Sequence, residues 1–173
     1  MTESQNIKVL LVEDDEDDFI LTRGLLAELR GGTFTLDWAK TFDAGQQMML
    51  ENQHDVCLVD YRLGIRSGIE LLEAALAGSC RMPVIMLTGL GDKAVDVTAM
   101  KAGASDYLVK AGLEAGQLER SIRYAMERKR AAAVAAFEHE RLAAFGADVG
   151  RALTRNASLD DILNNCAQAM ERY

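Results

Sequence analysis

The chain is poor in the features that would tie it to export, to nucleic acid or to a membrane. Its three cysteines, Cys57, Cys80 and Cys166, have no paired spacing and no histidine cluster beside them. Neither a disulfide framework nor a zinc site is indicated, and reduced, buried thiols are expected. Basic residues are in deficit: 19 Lys and Arg against 27 Asp and Glu give a formal net charge of −8. An acidic surface repels phosphates, which argues against a nucleic-acid partner and favours proteins and cations. No uninterrupted apolar run is long enough to cross a bilayer. The polar stretch Met1 to Asn6 leads directly into a strand pattern, without the basic and apolar regions of a signal peptide. A Gly-x-x-x-x-Gly-Lys phosphate loop is missing, as is any internal repeat of solenoid period. The expectation is a cytoplasmic chain with no nucleic-acid and no membrane partner. Its 173 residues suffice for one well-buried domain and an appendage.

What is present is an alternation of short apolar runs and amphipathic stretches. Ile7 to Val12 reads as a buried strand, followed by a helix from about Asp17 to Leu29 with Phe19, Ile20, Leu25, Leu26 and Leu29 on one side, closed by Gly31-Gly32. Phe34 to Ala39 is the second strand. Thr41 caps a helix to about Asn52, with Phe42, Met48, Met49 and Leu50 as its apolar positions. His54 to Asp60 is the third strand, and Gly68 to Ala77 the helix that ends at Gly78. Pro83, the only proline, opens the strand Val84 to Thr88, where its missing N–H costs little. Gly89, Gly91 and Asp92 introduce a helix to about Lys101, and Tyr107 to Lys110 is the fifth strand. This βα alternation predicts a doubly wound α/β fold with a five-stranded parallel sheet covered on both faces, for which the flavodoxin-like order 2-1-3-4-5 is taken. From Glu114 onward no strand signal remains. A long helix, interrupted weakly by Gly146 and Gly150, and a last amphipathic helix opened by Ser158 and Asp161 form a C-terminal helical extension. The expected division is a domain over 1–128 and an extension over 129–173.

Parallel sheets bind their ligands at the carboxyl ends of the strands, and in this order the first and third strands are neighbours at the switch point. Glu13 and Asp14 then face Asp60. Three converging carboxylates repel one another, and a Mg²⁺ (or Mn²⁺) resolves the conflict by taking their oxygens. Thr88 closes the fourth strand and Lys110 the fifth, so the same rim carries a hydroxyl and an ammonium. Those groups are suited to hold a phosphoryl on Asp60. Taken singly, each has a plainer role: Asp60 as a turn former, Thr88 and Lys110 as solvated or structural groups, Tyr107 as a core aromatic. Asp15, Glu16, Asp17 and Asp18 read as a solvated run that complements a helix dipole. His54 and His139 read as structural and exposed residues respectively.

Together the motifs Leu11-Val12-Glu13-Asp14-Asp15, Leu58-Val59-Asp60, Met86-Leu87-Thr88-Gly89 and Asp106-Tyr107-Leu108-Val109-Lys110 resemble the receiver domain of two-component response regulators, over roughly Asn6 to Arg128. The resemblance implies that Asp60 is the phosphoacceptor and that Glu13, Asp14, Asp60 and the backbone carbonyl of Arg62 hold the metal. It assigns Thr88, Tyr107 and Lys110 the switch and phosphate-binding roles. It also implies a histidine kinase or phosphotransfer protein as partner. Such a protein accepts a phosphoryl group and hydrolyses it slowly, and is not an enzyme turning over a small substrate. The other readings are a phosphorylation-independent interaction or dimerisation module of a larger sensor kinase or cyclase, and a Mg²⁺-dependent phosphatase. The latter is disfavoured because no aspartate stands two residues after Asp60.

Two departures from the family pattern stand out. Lys110 is followed by Ala111 where receivers usually have proline, and Leu63-Gly64 stands where Met-Pro or Leu-Pro is frequent. Arg141 to Tyr173 resembles a signalling helix leading into the opening helices of a GAF sensory domain. That likeness suggests a piece of a longer signalling protein, with a homodimer formed through the helices after Gln117.

Overall fold

The run Ile7 to Val12 offers apolar side chains at odd and even positions alike, so it has to be covered on both faces. A computed structural model, which describes residues 6–30, 32–89 and 93–154, places it as strand β1 (Asn6–Val12). There follow α1 (Glu16–Ala27), β2 (Thr33–Ala39), α2 (Phe42–Glu51), β3 (Val56–Asp60), a small hairpin β4 (Arg62–Leu63) and β5 (Arg66–Ser67), α3 (Gly68–Ala77), β6 (Val84–Thr88), α4 (Lys93–Lys101), β7 (Asp106–Val109) and α5 (Ala115–Thr154). Strands β2-β1-β3-β6-β7 form one parallel sheet in that order. This is the expected 2-1-3-4-5 arrangement. The β4–β5 hairpin is an addition outside the sheet.

Side-chain alternation sorts the core into two layers. Ile7, Val9 and Leu11 of β1, Val56 and Leu58 of β3, and Ile85 and Leu87 of β6 pack with Leu26 of α1 and with Leu118, Ile122, Ala125 and Met126 of α5. The intervening residues Leu10, Val12, Cys57, Val59, Val84 and Met86 meet Phe42 and Met49 of α2, Leu71, Leu72 and Ala75 of α3, and Ala99 of α4. Burial on both faces is what holds the strand ends at the rim still.

Thr41 caps α2 as expected, and two caps not singled out in the sequence, Asp15 and Ser67, open α1 and α3. The carboxylate of Asp15 accepts from the N–H groups of Asp17 and Asp18, and Thr41 and Ser67 cap α2 and α3 in the same manner. The buried line of α1 differs in part from the expected one. Phe19, Leu25 and Leu26 pack on the core as expected and Leu29 joins them just past the end of the helix, whereas Ile20 is exposed and Thr22 is buried. Thr22 lies three residues after Phe19 and four before Leu26, so helical phase overrides its polarity. Leu50 and Leu76 are also more exposed than their aliphatic character suggested.

The compact unit Met1–Lys129 holds the sheet, and a second unit begins at Arg130. Within the first, α5 is fastened to β7 by Ser121 Oγ donating to Asp106 Oδ2 at 2.6 Å and by the Arg128 guanidinium donating to the Ser105 carbonyl at 3.2 Å. In the second, α5 is continuous to Thr154, so Gly146 and Gly150 do not interrupt it. Val134, Phe137 and Leu142 on this segment are exposed. Ser158, Asp161 and the last amphipathic helix lie outside the described residues. Among the described residues no helix is long and apolar enough to cross a membrane.

Candidate functional site

Each site residue hangs from the strand beside it. The ladder continues one residue beyond the strands, with the Glu13 N–H donating to the Ala39 carbonyl at 3.0 Å, Tyr61 to Leu87 at 2.8 Å and Lys110 to Thr88 at 2.7 Å. Glu13, Asp60 and Lys110 therefore sit at a fixed height on one rim. They line a cleft of about 640 Å³ with Asp14, Asp15, Asp18, Tyr61, Arg62, Gly64, Thr88 and Gly89.

At its centre the Lys110 ammonium contacts three carboxylates: Glu13 Oε2 at 2.5 Å, Asp18 Oδ2 at 2.6 Å and Asp60 Oδ1 at 2.6 Å. Glu13, Asp60 and Thr88 are buried, and Asp14 is exposed. The other oxygen of Asp60, Oδ2, accepts the Arg62 N–H at 2.7 Å, and Asp14 Oδ2 accepts the Gly64 N–H at 3.0 Å. Burial pushes the Glu13 carboxyl up to about 7, against the pull of its hydrogen bond to Lys110. Burial likewise raises Asp60, again opposed by Lys110. For Lys110 itself burial works against the charge, yet the bonds to Asp18, Asp60 and Glu13 outweigh it and hold the ammonium above its ordinary range. The same bonds thus win on the lysine, which has three acceptors, and lose on Glu13 and Asp60.

Asp18 is not a solvated member of the acidic run, since its carboxylate bonds Lys110 across 92 residues of sequence. Asp15, Glu16 and Asp17 are exposed at the start of α1, as expected. Tyr107 lies off the cleft. It pairs with Met86 in the sheet register and packs on the same layer of the core, on the strand next to that of Thr88. Arg62 contributes its N–H to Asp60 and an exposed side chain to the lip of the cleft. The Lys110–Ala111 peptide is trans, and the turn that follows uses Gly112 at φ +78°. His54 is structural: its Nε2 lies 2.9 Å from Asp37 Oδ2. His139 is exposed on α5.

Carboxylate oxygens of Glu13, Asp14 and Asp60 lie within 4.8 Å of one another. A set of oxygen donors with no nitrogen or sulfur suits a hard divalent cation such as Mg²⁺. A further link was not visible in the sequence. The indole N–H of Trp38, on β2, donates to the Glu13 carbonyl at 2.8 Å, and its ring stacks on Phe19 at 3.8 Å.

A five-stranded parallel α/β sheet with an acid pair, an aspartate, a threonine and a lysine on one rim defines a class of signalling domain. The chain matches the response regulator receiver domain over residues 9–123 and belongs to that family. It is 34% identical over 101 residues to the photosynthetic apparatus regulatory protein RegA of Rhodobacter capsulatus, covering 58% of this chain and 54% of that protein. It is 31% identical over 104 residues to the response regulator protein PmrA of Pseudomonas aeruginosa, covering 60% and 46%. Among solved structures, a response regulator receiver domain protein from Clostridium thermocellum superposes with a TM-score of 0.62 at 29% identity, covering 72% of this chain and 97% of that one. A CheY-like receiver from Methanospirillum hungatei gives a TM-score of 0.62 at 26% identity, covering 73% and 98%. The chain spans about half the length of the curated relatives it matches.

Proposed function

We propose that this chain accepts a phosphoryl group on Asp60 from the phosphohistidine of a histidine kinase or phosphotransfer protein, and that this event switches its C-terminal helix. The observation that carries the reading is the Lys110 ammonium 2.6 Å from Asp60 Oδ1, beside the converging oxygens of Glu13, Asp14 and Asp60. An oxygen of Asp60 attacks phosphorus, the P–N bond to the donor imidazole breaks, and the imidazole leaves with its electron pair and takes up a proton. Lys110 then donates to a phosphoryl oxygen in place of a carboxylate, and the Thr88 hydroxyl lies on the rim to donate to another. Glu13, Asp14, Asp60 and the Arg62 carbonyl would hold Mg²⁺ or Mn²⁺, which neutralises charge on the transferring phosphoryl. Gly89, with open space where a Cβ would stand, leaves the approach clear. The acceptor releases its phosphoryl by slow hydrolysis, without turnover of a small substrate. Incubation with a small phosphodonor and Mg²⁺, followed by intact mass, tests the reading. A one-phosphoryl gain that requires Mg²⁺ is expected, and an unchanged mass under conditions that label another receiver would contradict it.

Movement of Thr88 and Tyr107 toward the phosphoryl provides the switch. Tyr107 shares β7 with Asp106, which anchors α5 through Ser121, so a shift there reaches the helix directly. The exposed Val134, Phe137 and Leu142 support a homodimer through the segment after Gln117. Light scattering should give a dimer for the whole chain and a monomer for a chain ending at Arg128. Equal dimerisation of both would place the interface elsewhere. On this reading α5 is a signalling helix that leads toward a GAF-like domain. The free Cys57 and Cys80 are in keeping with a cytoplasmic location.

Trp38 is the only tryptophan and is bonded to the backbone of Glu13, so it reports on the cation site. Adding Mg²⁺ should change its emission saturably. Flat emission through millimolar Mg²⁺ would separate Glu13 from the metal.

A further inference from the structure

The acids from Glu13 to Asp18 hold different positions, and that of Asp18 has no part in the function proposed above. Asp18 is the third residue of α1, whose N-cap is Asp15. An acid there ordinarily reaches back to the N–H of the capping residue. In this chain that N–H is already donated to Glu13 Oε1 at 3.2 Å. The Asp18 carboxylate is thereby left for Lys110, which it meets at 2.6 Å. An ammonium has three protons, and Glu13, Asp18 and Asp60 are three acceptors.

We propose that Asp18 is a positioning residue that competes for the Lys110 ammonium and so sets the balance between the cation-bound and phosphoryl-bound forms of the site. The inference rests on the phosphoryl-accepting reading. It has two consequences of opposite sign. By drawing the ammonium toward α1, Asp18 loosens its hold on Glu13 and Asp60, the oxygens a divalent cation needs. A phosphoryl group on Asp60 needs that same ammonium, and Asp18 withholds it. Asp18 therefore favours the cation and opposes the phosphoryl.

Asp18→Asn keeps the shape of the side chain and removes its charge. Calorimetric Mg²⁺ titration should show weaker binding in this variant, and beryllofluoride binding at saturating Mg²⁺, followed by fluorine NMR, should show tighter binding. Each change is expected to be about tenfold, the scale of one charge-assisted hydrogen bond. Asp17→Asn is the control, because it makes the same charge change on an exposed neighbour. It should move both affinities by less than about twofold, as a screened surface charge does. In a Lys110→Ala background, the Mg²⁺ effect of Asp18→Asn should vanish, whereas simple loss of a negative charge would persist. Loss of both affinities would mark a structural role and overturn the proposal. So would unchanged affinities, an equal effect of Asp17→Asn, or persistence of the effect without Lys110. A wild-type protein that binds Mg²⁺ but no beryllofluoride would instead overturn the phosphoryl-accepting reading, and this inference with it.

Discussion

Asp60→Asn should reduce phosphoryl labelling by a small phosphodonor from a full equivalent to none detectable, with the fold retained. An amide oxygen is a poor nucleophile at phosphorus and carries no negative charge for Lys110 and the cation to organise. The side chain keeps its size, and its carbonyl oxygen can still accept the Arg62 N–H that now bonds Asp60 at 2.7 Å. Removing the charge is not expected to weaken the fold. Burial holds the Asp60 carboxyl above its ordinary range, which means that the ionised form is disfavoured in the folded protein relative to the unfolded chain. For such a group, stability falls as pH rises through the carboxylate range, so a neutral isostere lacks that cost at neutral pH. Lys110 retains Glu13 and Asp18 as acceptors. The outcome to look for is lost labelling with an unfolding midpoint equal to or above that of the wild type. Labelling that persists in Asp60→Asn would move the acceptor to another residue, with Asp14 the first candidate.

The second large effect lies under the site. A Cβ added to Gly68 would stand 2.1 Å from the backbone carbonyl oxygen of Asp60, 2.8 Å from Met86 Cε and 2.9 Å from Val59 Cγ1. Methionine can yield, but a carbonyl at the end of a central strand cannot. The Gly68 N–H also donates to the Tyr61 carbonyl at 2.8 Å, tying the start of α3 to the residue after Asp60. Gly68→Ala should therefore destabilise the protein by about 1–3 kcal/mol, the usual cost of forcing extra volume into a packed site. It should also slow labelling, because the part that must give way carries Asp60. Gly24→Ala provides the contrast. Gly24 lies in the interior of α1 with nothing near its Cβ direction, and the substitution should stabilise by roughly 0.5–1 kcal/mol through helix propensity alone. Denaturant unfolding of both variants checks the pair. Equal midpoints would mean that the β3–α3 connection accommodates a methyl group.

Periodicity and strand-end chemistry made the five strands and five of the rim residues legible in the sequence, with the strand order following from the flavodoxin-like arrangement. Short apolar runs such as Val56 to Val59, bounded by turn residues, read as central strands, and central parallel strands deliver their carboxyl ends to one edge. Glu13, Asp14, Asp60, Thr88 and Lys110 follow from that rule alone. Asp18 did not, because beyond the strand end the acids Asp15 to Asp18 look alike in sequence. Its partner is set by the pitch of α1 and by Glu13 taking the N–H of Asp15, neither of which a linear pattern encodes. Ile20 and Thr22 show the same limit inside a helix, where phase rather than side-chain polarity decides which residue is covered. Trp38 presents another form of it, since its bond to Glu13 arises from the pairing of β1 with β2. The β4–β5 hairpin was signalled only by Gly64, whose φ of +62° suits the first position of a two-residue turn.

Beryllofluoride binding by the wild-type chain, followed by fluorine NMR with and without Mg²⁺, tests most directly whether the rim formed by Glu13, Asp14, Asp60, Thr88 and Lys110 is a phosphoryl site. The account predicts a bound signal that requires Mg²⁺ and is lost in Asp60→Asn. A wild-type protein that binds Mg²⁺ yet shows no bound fluoride signal, under conditions in which another receiver does, would contradict it.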